Sequence, residues 1–119
     1  MNESKFTARL KAAWETVGGE IIPFTAGRMS VHGIPDRYFM HHTIGGVWVE
    51  AKWERRQLTA SQALMLKKMK KFNVPCCVIR GNSIAVHVDD IVISMEGLTG
   101  VTLLRALTDV SARFLGNRG

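Results

Sequence analysis

The sequence of 119 residues has the length of one domain, and a chain of this size buries about two thirds of its unfolded surface, so we predict one domain over residues 1–119. Hydrophobic residues make up 46% and charged residues 22%, which excludes disorder, and no apolar run approaches the roughly 18 residues of a membrane span. Sixteen Lys and Arg against ten Asp and Glu leave a net charge of +6, which favours a polyanionic partner without distinguishing nucleic acid from an anionic membrane surface.

The first predicted element is an amphipathic helix over residues 3–17. Its apolar residues recur at helical spacing and are Phe6, Leu10, Ala13, Trp14 and Val17. Gly18 and Gly19 follow directly and are expected to end the helix, because glycine tolerates the left-handed conformation of a helix C-terminus. Residues 20–25 then predict a short strand, and the segment 26–35, which has no consistent period, predicts a loop.

Two neighbouring strands are predicted in the middle of the chain, over residues 36–42 and 47–53. The segment 43–46 between them has the length and composition of a hairpin connection. Thr59 and Gln62 then match a capping box, in which the Thr hydroxyl and the Gln side chain satisfy free backbone amides at the start of a helix. A second helix is therefore expected to begin there.

The second helix has an inner stripe at helical spacing, which consists of Gln62, Met65, Leu66, Met69 and Phe72. Asn73 and Pro75 are expected to end it. The apolar run over residues 74–80 predicts a buried strand. Its adjacent Cys76 and Cys77 would form a strained disulfide and lack accompanying metal ligands, so we interpret them as reduced core residues.

The last two predicted elements complete an α/β fold. Residues 84–88 are expected to form a hairpin partner of the buried strand. Residues 101–115 predict a closing helix, because its apolar residues lie at helical spacing. The order α-β-β-β-α-β-β-α predicts a mixed sheet of about five strands flanked by helices.

Three charged residues of the two central strands form the predicted chemical centre. Glu50 and Lys52 are two apart on one strand and therefore emerge from the same face. If Asp36 opens the adjacent strand, its carboxylate can meet that of Glu50 and bind a divalent cation through oxygen ligands, as Mg²⁺ requires. Such a cation lowers the pKa of a bound water, while the Lys52 ammonium stabilises the attacking hydroxide or the oxyanion on a phosphate.

The order of the motifs resembles that of the PD-(D/E)xK nuclease superfamily. GIPD at residues 33–36 is followed by the apolar-flanked EAK at residues 50–52 and by LTASQ at residues 58–62. Each motif alone is common among surface charges, and their joint order and spacing support the resemblance. Within the superfamily, the chain is most similar to virus-type replication-repair nuclease (VRR-NUC) domains and to Holliday-junction resolvase-like proteins.

The resemblance implies a restriction-endonuclease-like fold and a Mg²⁺-dependent DNA endonuclease that hydrolyses phosphodiester bonds, with Mn²⁺ able to substitute. Asp36 and Glu50 would be metal ligands together with the backbone carbonyl of Ala51, and Lys52 would stabilise charge. The superfamily pattern also places Gln62 near the active site. The capping box explains Gln62 without a catalytic role, and the two roles can coexist.

The substrate implied by the resemblance is structured or branched DNA, such as a junction or a flap. The lack of a membrane span and of a signal-like N-terminus predicts a cytoplasmic protein, and the compact domain is compatible with a bacterium or a phage-infected host cell. Symmetric cutting of two junction strands would favour a homodimer. The final helix is a candidate interface, although it could equally cap the core, through Leu103, Leu104, Leu107 and Phe114.

Many members of the superfamily add an acidic residue from the first helix, and periodicity selects Glu3 as the candidate metal ligand here. Glu3 falls in the sector of the apolar stripe, while Glu15 lies nearly opposite and is expected to face solvent. The alternative for Glu3 is that it complements the helix dipole.

Four arginines are predicted to contact the DNA backbone, namely Arg28, Arg37, Arg55 and Arg56. His32, in the loop before Asp36, is a weaker candidate for a phosphate contact. Adjacent His41 and His42 are expected to point to opposite faces of the sheet. The large aromatic residues Trp14, Trp53 and Phe72 are expected in the core rather than as base-stacking surfaces.

Two rival functions remain open from the sequence. One is a catalytically weak nucleic-acid-binding module of a replication or packaging assembly, which keeps the fold but not the cleavage. The other is a basic adaptor that binds RNA or protein and has no metal requirement.

Overall fold

The computed structural model describes residues 2–24, 32–54, 56–82 and 90–116. Its elements are α1 (Glu3–Thr16), β1 (Glu20–Pro23), β2 (Arg37–His41), β3 (Gly45–Trp53), α2 (Ala60–Lys71), β4 (Cys76–Gly81), β5 (Ile91–Ile93) and α3 (Gly100–Gly116). The order of helices and strands is the predicted one, and the mixed α/β class is confirmed.

The five strands form one sheet in the order β1-β2-β3-β4-β5. The first three strands are an antiparallel meander, and β3, β4 and β5 run parallel to one another. Helix α2 makes the crossover between the parallel strands β3 and β4, a connection that a tight turn cannot provide. Strand β3 therefore lies in the centre of the sheet, at the boundary between its antiparallel and parallel halves.

The fifth strand differs from the prediction. The predicted hairpin partner over residues 84–88 lies outside the described residues. On the side of β4 away from β3, the structure places the strand Ile91–Ile93. This strand runs parallel to β4, with Ile79 opposite Ile91 and Gly81 opposite Ile93. A strand of three residues is too short to show a hydrophobic period, so the sequence pattern missed it.

The predicted end of α1 is confirmed by hydrogen bonds. The Gly19 amide donates to the Trp14 carbonyl over 3.0 Å, and the Gly18 amide donates to the Glu15 carbonyl over 3.1 Å. Gly18 has a φ of +84°, the left-handed backbone that a helix C-terminus of this kind requires.

Both ends of α2 also follow the prediction. The capping box is formed, because the Gln62 amide donates to Thr59 Oγ1 over 3.1 Å and the Thr59 amide donates to Gln62 Oε1 over 2.9 Å. At the other end Asn73 has a φ of +59°, and the Val74 amide donates to the Met69 carbonyl over 2.8 Å.

Helices α1 and α3 cover one face of the sheet, and α2 packs against β4 on the other. The fully buried residues between the sheet and the helices α1 and α3 include Phe6, Leu10, Trp14, Phe39, Val47, Val49, Leu103 and Leu107. Leu103, Leu107 and Phe114 are therefore core residues, so α3 caps the core with most of the side chains considered for a dimer interface. No helix in the described part of the chain is long and apolar enough to cross a membrane.

Two aromatic predictions are confirmed and one is wrong. Trp14 and Trp53 are buried, and the Trp53 ring contacts Phe6 with 5.4 Å between centroids. Phe72 is 65% exposed. Because α2 ends at Lys71, Phe72 lies just past the helix and does not continue its inner stripe. Cys76 and Cys77 are free and buried, as predicted for core residues, and burial raises the pKa of the Cys76 thiol to about 11.

The two adjacent histidines do not point to opposite faces. Strand β2 ends at His41, so the alternation does not extend to His42, and the two rings stack with 4.5 Å between centroids. His41 is buried, and its Nε2 donates to the Val17 carbonyl over 2.7 Å. His41 thus joins β2 to the end of α1 as a packing residue.

Candidate active site

Asp36 and Glu50 lie opposite each other on neighbouring strands. Arg37 pairs with Val49, and continuing this antiparallel register by one residue places Asp36 opposite Glu50. The Phe24 amide donates to the Asp36 carbonyl over 2.7 Å, so Asp36 extends the sheet between the ends of β1 and β2. Residues directly opposite each other in an antiparallel pair share a face, and the two carboxylates therefore lie on the same face.

Lys52 shares this face with Glu50, because the two residues are two apart on the regular strand β3. Glu50 is 3% exposed and Lys52 is 8% exposed. In the parallel strand β4, Val78 lies beside Glu50 and Arg80 beside Lys52. The sheet thus brings together the three residues that the sequence predicted as the chemical centre.

The pKa of Glu50 is raised to about 7. Desolvation by burial is the largest cause, followed by repulsion from Asp36, while Lys52 opposes the shift. Repulsion from Glu3 also contributes. The electrostatic surroundings of Glu50 therefore include both other predicted acidic ligands and the predicted lysine.

Glu3 extends from the first turn of α1 toward this cluster. Its Oε2 accepts a hydrogen bond from the Arg56 guanidinium over 3.2 Å, and its buried Oε1 has no hydrogen-bond partner in the described part of the chain. Glu15 instead is exposed and lies 3.9 Å from Lys11, another surface residue of α1. The helical sector chosen from the sequence agrees with these positions.

Asp36 resembles Glu3 in having one paired and one unpaired carboxylate oxygen. Its Oδ2 accepts a hydrogen bond from Arg37, whereas Oδ1 is buried with no partner among the described residues. A buried carboxylate oxygen without a donor is costly, and such atoms in native proteins call for a ligand, an ion or water. Asp36 Oδ1 and Glu3 Oε1 are thus the atoms of this cluster that are open to a ligand, an ion or water.

The carboxylate oxygens of this cluster are of the ligand type that a hard divalent cation prefers, but they do not form a closed cage. Among residues 2–24, 32–54, 56–82 and 90–116, no three His, Cys, Asp or Glu side chains are close enough together to enclose a metal. Mg²⁺ does not need such a cage, because it usually keeps several waters and is held by one or two carboxylates plus substrate phosphates. Ala51, whose carbonyl the resemblance adds, is buried between Glu50 and Lys52.

The loop that delivers Asp36 packs on the N-terminus of α2. Gly33 has a φ of +86°, and a Cβ atom there would lie 2.2 Å from the Ser61 carbonyl oxygen. The same hypothetical Cβ would lie 3.0 Å from the Gln62 backbone nitrogen. Gln62 is therefore next to the GIPD segment, with its Oε1 engaged in the capping box. Both roles considered for Gln62 remain compatible with this position.

The predicted DNA-binding arginines divide into two groups. Arg37 and Arg56 are described and pair with Asp36 and Glu3, and the Arg56 side chain is 68% exposed. Arg28 and Arg55 lie outside the described residues. His32 is exposed in the loop before Asp36.

A buried arginine near the site was missed by the sequence analysis. Arg80 is 2% exposed; its Nε donates to Asp90 over 2.6 Å, and its Nη1 donates to the Arg56 carbonyl over 2.6 Å. A charged residue at the end of an apolar run was the available signal, but the partners lie on other elements and no spacing reveals them. Arg80 fixes the backbone of the residue whose side chain binds Glu3.

Three aromatic residues beside the carboxylates were also missed. Phe24, Tyr38 and Trp48 form a contacting group on the face of the sheet that holds Glu50. Trp48 precedes Glu50 by two residues, a spacing that could have indicated a shared face.

Comparison with known protein families and with curated proteins found no match to this chain.

Proposed function

We propose that this chain is a Mg²⁺-dependent DNA endonuclease of the PD-(D/E)xK type that hydrolyses phosphodiester bonds. The main support is the placement of Asp36 and Glu50 opposite each other on neighbouring strands, with Lys52 on the same face. The three residues of this cluster come from the GIPD motif (Asp36) and the EAK motif (Glu50 and Lys52). The restriction-endonuclease-like fold and the likeness to VRR-NUC and junction-resolvase proteins are part of this proposal.

The metal would be held by oxygen atoms that the cluster provides, from Asp36, Glu50, the Ala51 carbonyl and Glu3. When bound, Mg²⁺ or Mn²⁺ supplies Lewis-acid chemistry that favours a nucleophilic hydroxide and offsets phosphate charge. Glu50 must release its proton before its carboxylate can serve as a ligand. Arg37 and Arg56 must release Asp36 and Glu3, and their guanidinium groups then become available to the DNA backbone.

Lys52 acts on the phosphate rather than on the metal in this proposal. Its side chain is 8% exposed, so its ammonium works where water screens charge weakly. From its position beside Glu50 it would stabilise the negative charge that develops on the phosphate oxygens during attack. The proton of the attacking water passes to solvent.

DNA as the substrate is supported by the net charge of +6 and by the exposed Arg56 beside the cluster. Branched or flapped DNA as the preferred substrate, and a homodimer, are proposals taken from the resemblance.

The decisive experiment measures cleavage of duplex, flap, single-stranded and four-way-junction DNA with Mg²⁺, Mn²⁺ or EDTA. Asp36→Asn and Lys52→Met are each expected to lower the cleavage rate by about 10²–10³-fold, the usual cost of removing a group that stabilises transition-state charge. Glu15→Gln, an exposed change on α1, is the control and should cleave normally. Cleavage in EDTA, or full activity of Asp36→Asn, would remove the proposal.

A second candidate is a nucleic-acid-binding module with little or no cleavage. The ion pairs of Arg37 with Asp36 and of Arg56 with Glu3 favour it, since they satisfy two carboxylates without a metal. This candidate predicts DNA binding that is unchanged by EDTA and no cleavage of any of the four substrates.

A further inference from the structure

Three aromatic rings form a contiguous surface next to the carboxylate cluster. The Tyr38 and Trp48 rings have centroids 4.8 Å apart, and those of Phe24 and Trp48 are 4.9 Å apart. We call Phe24, Tyr38 and Trp48 the aromatic platform. The ring pairs are tilted at 52° and 49°, so the platform has an uneven surface rather than a parallel stack.

The sheet register places the platform beside both carboxylates. Tyr38 lies opposite Trp48, and Trp48 precedes Glu50 by two residues on the same face. The β1–β2 register continues through the hydrogen bond between the Phe24 amide and the Asp36 carbonyl, so Phe24 lies opposite Asp36. Two residues along a strand span about 6.6 Å, so a nucleotide with its phosphate at the carboxylates can place its base over these rings.

The platform is accessible, in contrast to the aromatic residues of the other face. Phe24 is 45% exposed and its neighbour in the same layer, Ile22, is 41% exposed. Tyr38 and Trp48 are half-buried. On the opposite face Phe39 of β2 is completely buried, as are Phe6 and Trp14 of the covering helix α1. Contiguous and partly exposed rings of this kind, next to the phosphate-binding site that we propose in a basic protein, resemble single-strand binding surfaces.

We propose that the aromatic platform stacks an unpaired base of the DNA strand next to the scissile phosphate. This inference rests on the proposed nuclease function and narrows its substrate to DNA with at least one unpaired nucleotide beside the cut. A base inside a continuous duplex is already stacked on its neighbours and reaches the rings only after extrusion, which costs energy. Flaps, gaps and single strands provide the base without that cost.

The test is DNA binding measured by fluorescence anisotropy in EDTA, with single-stranded, flap and continuous duplex oligonucleotides. Trp48→Leu and Phe24→Leu are expected to weaken binding of single-stranded and flap DNA about tenfold, the usual effect of removing a stacking ring, and to leave duplex binding unchanged. Phe72→Leu is the matched control, because Phe72 is an exposed ring at the end of α2. It should bind all three DNAs as the unaltered protein does.

A 2-aminopurine base placed next to the expected cut reports stacking directly. Its fluorescence should be quenched on binding, and the quenching should be lost in Trp48→Leu and retained in Trp48→Phe. Retention in Trp48→Phe would show that an aromatic ring at this position is sufficient for the quenching. Thermal melting of each variant checks that the fold is intact.

Three results would overturn the platform: equal loss of duplex and single-strand binding, normal single-strand binding by Trp48→Leu, or a protein dimer that dissociates on Trp48→Leu. The outcome is separable from the nuclease proposal because binding in EDTA needs no cleavage. Metal-dependent cleavage without a ring effect would remove the platform alone. A ring effect without cleavage would remove the nuclease and keep the base-stacking surface.

Discussion

Glu50 combines burial with two acidic neighbours, which raise its pKa to about 7. Between its unfolded value of 4.5 and this folded value, the native state binds more protons than the unfolded state. Glu50 therefore stabilises the metal-free fold fully below its unfolded pKa, and that contribution is lost as the pH rises through about 7. Such a cost in folding free energy at neutral pH is expected for the metal ligand that we propose, because a bound ion would offset it.

Replacing Glu50 by Gln should make the metal-free protein more stable at high pH. We expect Glu50→Gln to raise the free energy of unfolding by up to about 3 kcal/mol above pH 7, since one pKa unit corresponds to about 1.4 kcal/mol, and by much less near pH 5. Urea denaturation at both pH values, in EDTA, measures the difference. Glu15→Gln, at an exposed site of α1, should change neither value. Equal effects of Glu50→Gln at both pH values would contradict the raised pKa.

The arrangement of elements also controls the position of Asp36. The GIPD segment precedes β2 and contacts the first turn of α2 through Gly33, whose missing side chain leaves room for the Ser61 carbonyl. Helix α2 thus supports the GIPD segment that positions Asp36, the carboxylate that we propose as a metal ligand. Its capping box fixes this end of the helix.

A pair of glycine substitutions separates backbone strain from this contact. Gly33 and Gly45 both have positive φ values, +86° and +76°, but an added Cβ at Gly45 meets nothing within 4 Å. Gly45→Ala should cost about 1 kcal/mol, the usual cost of this backbone conformation. Gly33→Ala should cost about 2–3 kcal/mol more because α2 or the loop must move. It should also lower Mg²⁺ affinity in calorimetry, whereas Gly45→Ala should not. Equal behaviour of the two variants would show that the contact is unimportant.

A second link joins α1 to the connection between β3 and α2. The Arg56 guanidinium binds Glu3, while Arg80, itself paired with Asp90, donates to the Arg56 carbonyl. In the proposed enzyme Arg56 forms an ion pair with Glu3, a proposed metal ligand, in the absence of the ion. Arg56 should therefore oppose metal binding and favour DNA binding.

The variant Arg56→Gln should therefore have opposite effects on the two ligands. We expect Mg²⁺ affinity to rise by about two- to fivefold, because an exposed ion pair that competes for Glu3 is worth about 0.2–1 kcal/mol. DNA affinity should fall, and the dependence of log affinity on log salt should weaken by about one unit. Calorimetry and anisotropy measure the two constants. Arg105→Gln, an exposed change on α3, is the control, and a loss of both affinities in Arg56→Gln would refute the competition.

For the whole molecule, most elements followed from local signals. Gly18, Asn73 and the Thr59–Gln62 capping box mark helix ends whose hydrogen bonds form within a few residues, so their geometry is encoded nearby. The alternation of β3 likewise predicted that Glu50 and Lys52 share a face. Features that depend on distant partners could not be predicted in this way.

Most of the missed features join separate parts of the chain. The Arg80–Asp90 pair, the three-residue strand β5 and the contact of Phe24 with Trp48 each depend on the register between strands. Phe72 was misplaced because the helical period was continued one residue past the end of α2. A period predicts which face a residue occupies and contains no information on which distant residue it meets.

The antiparallel meander has a consequence for the order in which the molecule assembles. Glu3, Asp36, Glu50 and Lys52 all precede the crossover helix α2, and β1, β2 and β3 pair through connections between neighbours in the chain. Pairings of low sequence separation close early, and N-terminal segments leave the ribosome first. The acidic cluster can therefore gather before β4 joins the sheet. When β4 joins the sheet, Arg80 donates to the Arg56 carbonyl and fixes the Arg56 backbone. The carboxylates of the cluster are in register before this step.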